Sequence, residues 1–303
     1  MYYFSCEKTP RMTGRYIDLF TDFGFKKVFG EEPNKPLLIS FINTLLPADA
    51  QVVDLTYLNN SVLGDRDDQR GRLYDLYCKS ESGERFIVEV QQAPQDFFVD
   101  RTLYYAAGAI QQQARIGRTW AYELQAVYVI SILNHIFDRR NIDRFEHRVE
   151  LTERATGRVF YPKLLFIYLE VPKFNIPLEN LSTDYERWLY AFKMLAKLDR
   201  RPPAYRDAVF ERLFEIAEIA RMSTQERQAY DQSLRRARDA YAIEQSVARR
   251  SREEGREEGE IKKQRDLVFA ALAKGHPKAL ILEFIGCTEA QFETWKAEFD
   301  QQA

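Results

Sequence analysis

Cysteine and histidine are both scarce in this chain of 303 residues, which has three of each. The cysteines are Cys6, Cys78 and Cys287. Their odd number and wide separation favour neither a disulfide framework nor a zinc cluster, and they fit a reducing cytoplasm. The histidines lie in unrelated sequence contexts, which argues against a histidine-bound metal and against a Ser–His–Asp catalytic site.

Long apolar runs and an excess of either charge are also missing. No stretch approaches the roughly 18 apolar residues of a membrane helix, and the polar N-terminus leads into no apolar segment, so we expect neither a membrane span nor a signal peptide. The formal net charge is −2, so nucleic acid is not bound through bulk positive charge and any such contact must use a local basic patch. With 45% hydrophobic and 30% charged residues, the chain has the composition of a soluble globular protein.

Residues 74–92, YDLYCKSESGERFIVEVQQ, predict two short strands joined by a polar turn. If the hairpin is symmetric about Ser82, Asp75 falls directly opposite Glu89. Residues opposite each other on antiparallel strands share a face, with Cβ atoms about 4.5–5.5 Å apart, and Gln91 joins that face because it lies two positions further on. The other face then carries an apolar set suited to a core: Tyr74, Leu76, Cys78, Phe86, Val88 and Val90.

Two interpretations of the paired carboxylates remain open. An Asp and a Glu on the solvated face of a hairpin are common. Alternatively, the two carboxylates lie close enough to repel each other, which raises a pKa unless a positive charge lies between them. Mg²⁺ would suit such a pair, since it binds one or two carboxylates together with waters and substrate phosphate.

The segments around the hairpin predict alternating helices and strands. Before it, Thr21 or Asp22 caps a helix that ends at Gly30, a second helix covers 36–46, and a strand covers 51–58. After the hairpin come a helix and then an apolar strand covered on both faces, at 97–115 and 125–133. The buried stripe of that helix is predicted as Leu103, Ala106, Ala107 and Ile110. This order predicts an α/β sheet with the hairpin near its centre.

Three blocks of sequence carry a resemblance to a known family. They are TDFGFKKVFG at 21–30, DLYCKSESGERFIVEVQ at 75–91 and YELQAVYVISILN at 122–134. With the αβββαβ order, they resemble the PD-(D/E)XK nuclease superfamily and, within it, the PD-(D/E)XK family transposases, also called recombination-promoting nucleases. The resemblance covers residues from about 15 to about 200, and appended helices are typical of that family. It implies a restriction-endonuclease-like core with added C-terminal helices.

The resemblance implies a metal-dependent DNA endonuclease linked to recombination or transposition. Asp75 and Glu89 would ligate Mg²⁺, with Mn²⁺ as an alternative ion and the carbonyl of Val90 as a further ligand. The ion would polarise the scissile phosphate and lower the pKa of an attacking water. Gln91 stands where the wider superfamily has Lys, so it can orient a water but brings no positive charge to the transition state. Asp22 corresponds to an acidic position in the family's N-terminal motif and would be an accessory contact to metal or water.

Five basic residues are candidates for contact with DNA phosphates: Lys26, Lys27, Arg70, Arg72 and Arg101. The two lysines follow Asp22 on its helix, where a solvated face is the alternative. The two arginines at 70 and 72 belong to a loop of mixed charge that is otherwise an ordinary solvated loop. The last arginine would be displayed from the helix after the hairpin.

The sequence predicts three parts: a nuclease-like domain at 15–220, a charged helical linker at 225–266 and a small helical tail at 267–303. Interleaved charges in the linker favour a long exposed helix with i,i+4 ion pairs. The tail predicts two helices, LVFAALAKG and then ALILEFIGCTEAQFETWKAEF, with a turn at Gly286 and Thr288. It resembles a helix-turn-helix unit, and the alternative is a module for packing or for homo-oligomerisation.

Two functions of different classes remain. The first is a Mg²⁺-dependent DNA endonuclease. The second is a catalytically weak DNA-binding or interaction protein that keeps the fold, because Gln91 replaces the lysine. Substitution of Asp75 separates them, since only an enzyme would lose cleavage while keeping its affinity for DNA.

Overall fold

The computed structural model describes residues 14–62, 72–114 and 121–302, and it divides the chain into two compact units, one up to Asp239 and one from Ala240. The α-helices are α1 (Asp22–Phe29), α2 (Lys35–Leu45), α3 (Phe98–Gln111), α4 (Asp184–Met194), α5 (Ala208–Ala217), α6 (Thr224–Ala273), α7 (Lys278–Ile285) and α8 (Glu289–Gln302). The strands are β1 (Leu55–Tyr57), β2 (Ser61–Val62), β3 (Arg72–Leu73), β4 (Leu76–Ser80), β5 (Arg85–Gln91), β6 (Val127–Leu133), β7 (Glu146–Thr152) and β8 (Val159–Glu170).

A six-stranded sheet in the order β1-β4-β5-β6-β8-β7 forms the centre of the first unit, and β2 pairs separately with β3. Neighbours from β1 to β5 are antiparallel, β5, β6 and β8 run parallel, and β7 is antiparallel to β8. Parallel strands need a crossover, and the one from β5 to β6 contains α3. The predicted α/β fold with an interior hairpin, β4–β5, is confirmed.

Both faces of the sheet are covered. One face packs against a large core to which α1, α2, α4 and α5 contribute, with Trp188 and Phe192 among its fully enclosed aromatic side chains. The other face packs against α3 and carries Tyr77, Ile87 and the alternate residues of β6 and β8. The predicted burial of the apolar strand on both faces is therefore confirmed for β6.

Helix α1 begins as its sequence predicts. The side chain of Thr21 accepts a hydrogen bond from the backbone N–H of Gly24 at 3.0 Å, and Gly30 ends the helix. A Cβ atom at Gly24 would lie only 2.1 Å from the carbonyl oxygen of Asp18, so this close backbone contact requires glycine. The first turns of α6 pack beside α1, where the hydroxyl of Tyr230 accepts a 2.9 Å hydrogen bond from the Asp18 N–H. These contacts fix the helix that carries Asp22.

Two predictions about side-chain orientation were wrong. Tyr74 does not face the large core with Leu76. Tyr74 precedes β4, where the chain does not follow the strand direction. Its ring packs on the α3 side of the sheet, with its centroid 5.0 Å from that of the Tyr105 ring. On α3, Ala106 is buried as predicted but Leu103 and Ala107 are exposed, and the buried positions are Phe98, Thr102, Tyr105, Ala106, Gly108 and Ala109. Thr102 and Tyr105 are buried because tyrosines on the sheet side contact them.

The charged stretch forms a single long helix. Helix α6 runs from Thr224 to Ala273, so LVFAALAKG is its end and not a separate helix as predicted. The following run is broken at Gly286, which adopts a left-handed conformation (φ 68°), and this agrees with the predicted turn. The second unit has its own small core: Val268, Ile281, Cys287, Phe292 and Trp295. None of the helices in the described ranges is long and apolar enough to cross a membrane.

Candidate active site

Asp75 and Glu89 face each other across the β4–β5 hairpin. Leu76 pairs with Val88, and the same register continued by one residue sets Asp75 opposite Glu89, as the symmetric turn predicts. Two hydrogen bonds lock the pair. The backbone N–H of Asp75 donates to Glu89 Oε1 at 3.0 Å, and the N–H of Val90 donates to Asp75 Oδ2 at 2.9 Å. Each carboxylate is therefore oriented by the main chain of the opposite strand.

Asp75 is half-buried, and the two residues across from it on β5 are buried. Glu89 and Gln91 are only 3% and 6% exposed. Burial raises the pKa of Asp75 above its ordinary value, and burial together with the nearby charge of Asp75 raises the pKa of Glu89. Nearby positive charges on Arg101 and Lys26 oppose both shifts. The two carboxyl groups therefore resist carrying negative charge at the same time, and a positive charge between them would relieve this repulsion.

Gln91 is used to hold an arginine. Its side-chain carbonyl accepts a hydrogen bond from an Nη atom of Arg101 at 2.9 Å, and its amide donates to the carbonyl oxygen of Ala93 at 3.0 Å. The same Nη atom lies 3.4 Å from Glu89 Oε2. A positive charge thus lies beside the carboxylate pair, although the strand position itself carries no lysine.

Arg101 is held in place from several sides. Its guanidinium carbon lies 5.7 Å from the ring centroid of Phe98 and 5.6 Å from that of Tyr105, within the range of cation–π attraction. Its other Nη atom donates to the side-chain carbonyl of Gln95 at 2.5 Å. Its Nε atom is buried and has no hydrogen-bond partner within the described part of the chain. The Nε–H group of Arg101 is therefore a buried donor that no described residue accepts from.

Asn60 organises the strand end before Asp75, and sequence reasoning missed it. Its side-chain amide donates to the carbonyl oxygen of Asp75 at 2.9 Å, and its side-chain oxygen accepts from the N–H of Tyr77 at 3.2 Å. Its backbone carbonyl accepts from the N–H of Tyr74 at 2.9 Å. An asparagine between two short strands was the available signal, because its amide can replace missing ladder hydrogen bonds.

Ser131 is a second residue that the sequence analysis passed over. It pairs in register with Glu89 on the neighbouring strand β6 and is fully buried. Its hydroxyl has no hydrogen-bond partner among the residues described. The signal for it was a single serine within an otherwise apolar strand, VYVISIL.

The other predicted residues lie around this pair. Asp22 forms an ion pair with Lys26 at 2.6 Å, and both lie near enough for their charges to act on Asp75 in opposite directions. Lys27 is instead engaged with Glu226 at 2.6 Å and with Glu31 at 3.2 Å. Arg72 begins β3, and Arg70 lies outside the described residues.

The donor set fits a hard divalent cation. Asp75 Oδ1 accepts no hydrogen bond from any described residue, and Glu89 Oε2 has only the long contact to Arg101. No group of three or more His, Cys, Asp or Glu side chains is clustered for a metal within residues 14–62, 72–114 and 121–302. A pair of carboxylates is nevertheless what Mg²⁺ uses when waters and phosphate complete its shell.

The comparison with protein families identifies the chain. Residues 19–246 match the model of the PD-(D/E)XK nuclease family transposases. The chain belongs to the PD-(D/E)XK nuclease family transposases. No curated protein and no solved structure matches the chain significantly. The matched residues include the whole six-stranded sheet, with both Asp75 and Glu89. Nucleases of this superfamily generally use divalent metals, and DNA is the substrate that the family implies.

Proposed function

We propose that this protein is a metal-dependent endonuclease that hydrolyses phosphodiester bonds in DNA during recombination or transposition. The observation that carries the proposal is the Asp75–Glu89 pair, in which Glu89 is buried, Asp75 is half-buried, and each member is fixed by a backbone hydrogen bond from the other strand. A solvated structural pair would not need this burial or this reciprocal locking. Membership of the nuclease family supports the same chemistry.

Asp75 and Glu89 are the proposed ligands of the ion, through Asp75 Oδ1 and Glu89 Oε2, with the carbonyl oxygen of Val90 as the third. Mg²⁺ is the expected ion and Mn²⁺ the alternative, because oxygen ligands suit both. When bound, the ion polarises the scissile phosphate and lowers the pKa of a coordinated water. The protein's part is to fix the two carboxylates before substrate arrives.

Arg101 takes the electrostatic role that the strand lysine has in the wider superfamily. Its guanidinium lies beside both Gln91 and Glu89. A fixed cation at this point stabilises the negative charge that develops on phosphoryl oxygens in the transition state. Gln91 is then a positioning residue, since it acts through Arg101 and uses both of its polar groups to do so.

The remaining residues have outer roles in this proposal. Asp22 and Lys26 sit beside the pair, where the carboxylate can orient a water and the ammonium can meet a phosphate. Arg70 and Arg72 belong to the segment that would meet the DNA backbone. Lys27 is the weakest of the predicted DNA contacts, because its ammonium already joins α1 to Glu226.

A second function, DNA binding with little turnover, has one observation in its favour. Both polar groups of Gln91 are engaged by Ala93 and Arg101, so this side chain is not free to orient an attacking water. If Arg101 cannot replace the lysine, the fold would bind DNA without efficient cleavage. The two functions predict opposite results for one assay.

The test is incubation of supercoiled plasmid at low salt with purified protein, with Mg²⁺, with Mn²⁺ and with EDTA. The Asp75→Ala variant is compared with Glu150→Gln, which changes an exposed carboxylate on β7. We expect metal-dependent nicking by wild type and by Glu150→Gln, and none by Asp75→Ala. A folded wild type that retards DNA but does not nick it with either ion would refute the enzyme and favour the binding protein.

A further inference from the structure

A groove opens where β5 and β6 end, and one of its lining residues, Gln95, contacts Arg101 of the candidate site. Its volume is about 350 Å³, and it lies between residues 94–99, which follow β5, and residues 135–137, which follow β6. The carboxyl ends of parallel strands are a common position for ligand sites in α/β sheets. The volume falls within the range of small-molecule pockets.

Aromatic rings form the walls of the groove. Phe98 and Phe137 meet edge to face, with ring centroids 6.3 Å apart. Phe137 stacks on the buried ring of Tyr168 at 5.4 Å, and the hydroxyl of Tyr168 is hydrogen-bonded to Thr102 of α3 at 2.9 Å. The walls are therefore supported by the sheet and are already shaped before any ligand enters.

Polar groups lie at the edge of the groove. Asp96 and Gln95 line it on one side and His135 on the other. The Nδ1 atom of His135 is buried without a hydrogen-bond partner within the part of the chain that the structure describes. A carboxylate beside the groove repels a phosphate, so the groove suits the uncharged base of a nucleotide better than its backbone.

Phe97 occupies a costly conformation at the mouth of the groove. Its backbone is left-handed (φ 57°, ψ 27°), which bulky residues rarely adopt, and its side chain is 80% exposed. Burial of the Phe97 ring therefore does not compensate for the unfavourable backbone conformation. Strained residues that persist in this way cluster at functional sites.

The groove and the carboxylate site share Arg101. One Nη atom of Arg101 contacts Gln95 at the groove, while the other contacts Gln91 and Glu89. The backbone N–H of Arg101 also donates to the carbonyl oxygen of Phe97 at 2.9 Å. A strand that extended from the carboxylate pair to the groove would pass Arg101, which contacts residues of both.

We propose that this groove binds an unpaired nucleobase of the nucleic acid strand that is cleaved, with Phe97 stacking on the base. The inference rests on the proposed function for the position of the phosphate. A base paired and stacked within a duplex cannot enter, so the groove selects single-stranded or locally opened DNA over a closed duplex. Stacking on an aromatic side chain tolerates every base, so we expect little sequence preference.

The first test measures binding of a short fluorescein-labelled single-stranded oligodeoxynucleotide by fluorescence anisotropy. All proteins carry Asp75→Asn so that hydrolysis does not interfere. Phe97→Ala should weaken binding about fivefold or more, as expected for the loss of one stacked base. Phe160→Ala is the matched control, since that phenylalanine lies on β8 and is 78% exposed, and it should leave the affinity unchanged. Equal affinities for the two variants would overturn the proposal.

The second test uses Phe97→Trp in the same background as a fluorescent reporter. Stacking predicts that the oligonucleotide quenches the introduced tryptophan, whereas an abasic oligomer of the same length and charge does not. Equal quenching by both would mean that only the backbone is bound, and would also overturn the proposal. Phe97→Gly, which relieves the left-handed strain, should bind as weakly as Phe97→Ala if the ring matters and not the backbone.

The outcomes for the groove and for catalysis are separable. Wild type that nicks plasmid with metal, together with an unaffected Phe97→Ala variant, would reject the groove and keep the nuclease. Base-dependent binding by a protein that never nicks DNA would keep the groove and reject the nuclease.

Discussion

A 2.9 Å hydrogen bond joins an Nη atom of Arg101 on α3 to the side-chain oxygen of Gln91 on β5. It connects Gln91 to a positive charge that also lies 3.4 Å from Glu89 Oε2. The two residues therefore act together, and their substitutions should not be additive.

Removing the guanidinium of Arg101 should lower the rate of DNA cleavage and leave binding of the metal ion almost intact. We expect Arg101→Ala to reduce kcat about 100-fold or more, the effect of losing one fixed electrostatic contact to a transition state. Arg101→Lys should recover part of the rate. Introducing Gln91→Lys into Arg101→Ala should restore activity, because the cation then comes from the strand. Plasmid nicking and Mn²⁺ titration measure the two effects, and loss of Mn²⁺ binding in Arg101→Ala would contradict this assignment.

The stability of the metal-free protein should fall as pH rises through the raised pKa of the site carboxyls. Burial and the charge of Asp75 raise the pKa of Glu89 in the folded state, so the folded protein binds protons that the unfolded chain has released. The resulting free energy of unfolding is greatest below the ordinary carboxyl pKa and is lost above the raised pKa. Urea denaturation in EDTA measures this decline.

Glu89→Gln should flatten the pH dependence of unfolding, whereas Glu150→Gln, an exposed carboxylate on β7, should leave it unchanged. Saturating Mg²⁺ should also flatten it for the wild type, since the ion binds the deprotonated carboxylates. The same slope in Glu89→Gln and in wild type would show that the carboxylate pair is not its source.

Asn60→Ala should destabilise the protein and distort the site. The substitution removes two side-chain hydrogen bonds and leaves the Asp75 carbonyl and the Tyr77 N–H without their partner. Such a loss costs about 1–3 kcal/mol. Urea denaturation measures the stability, and Mn²⁺ titration should report weaker binding because Asp75 is no longer fixed. Asn180→Ala, at an exposed asparagine, is the control.

Lys173→Met should be among the most destabilising substitutions in the first unit. Its buried ammonium donates to Glu170 Oε1 at 2.7 Å and to the carbonyl oxygens of Asp138 and Asn141, and the carbonyl oxygen of Arg144 lies 3.2 Å away. Glu170 would keep its 2.6 Å contact with His147 but lose its buried ammonium, and removing one partner of a buried ion pair costs about 3–5 kcal/mol. Thermal and urea unfolding measure the loss.

Lys35→Met provides the comparison for that variant. Lys35 pairs with Asp54 at 2.9 Å in a partly exposed position, where such pairs contribute roughly 0–1 kcal/mol. Oligonucleotide binding should fall only in Lys173→Met, because the loop that Lys173 anchors continues into the groove wall at Phe137. Similar stability of the two variants would contradict the buried ion pair.

The hairpin register could be predicted because it depends on local sequence alone. A polar turn centred on Ser82 fixes which residues lie opposite each other, so Asp75 and Glu89 follow. The cap at Thr21 and the buried strand β6 are local in the same sense. Side-chain orientation at strand ends is not local. Tyr74 turns toward α3 because a hydrogen bond to Asn60, fourteen residues earlier, draws the chain out of the strand.

The buried face of α3 was predicted wrongly because helical periodicity considers only the positions of apolar side chains. It does not include the partners that the sheet provides for polar and aromatic side chains. Thr102 is buried only because the Tyr168 hydroxyl is there to bond it, and Tyr105 because Tyr74 packs on its ring. The contact between Gln91 and Arg101 likewise depends on how α3 lies across the sheet, which no short-range pattern encodes. Metal binding, catalysis and the roles of the individual residues stay predictions.

Negative and positive charge in this site belong to different structural layers. The carboxylates of Asp75 and Glu89 are hydrogen-bonded to the main chain of the β4–β5 hairpin. The guanidinium of Arg101 belongs to helix α3 and contacts the aromatic rings of that helix. Loosening of that helix would therefore remove the cation while the ion-holding pair stayed intact. On gentle heating, the protein should lose its catalytic rate before it loses its affinity for metal.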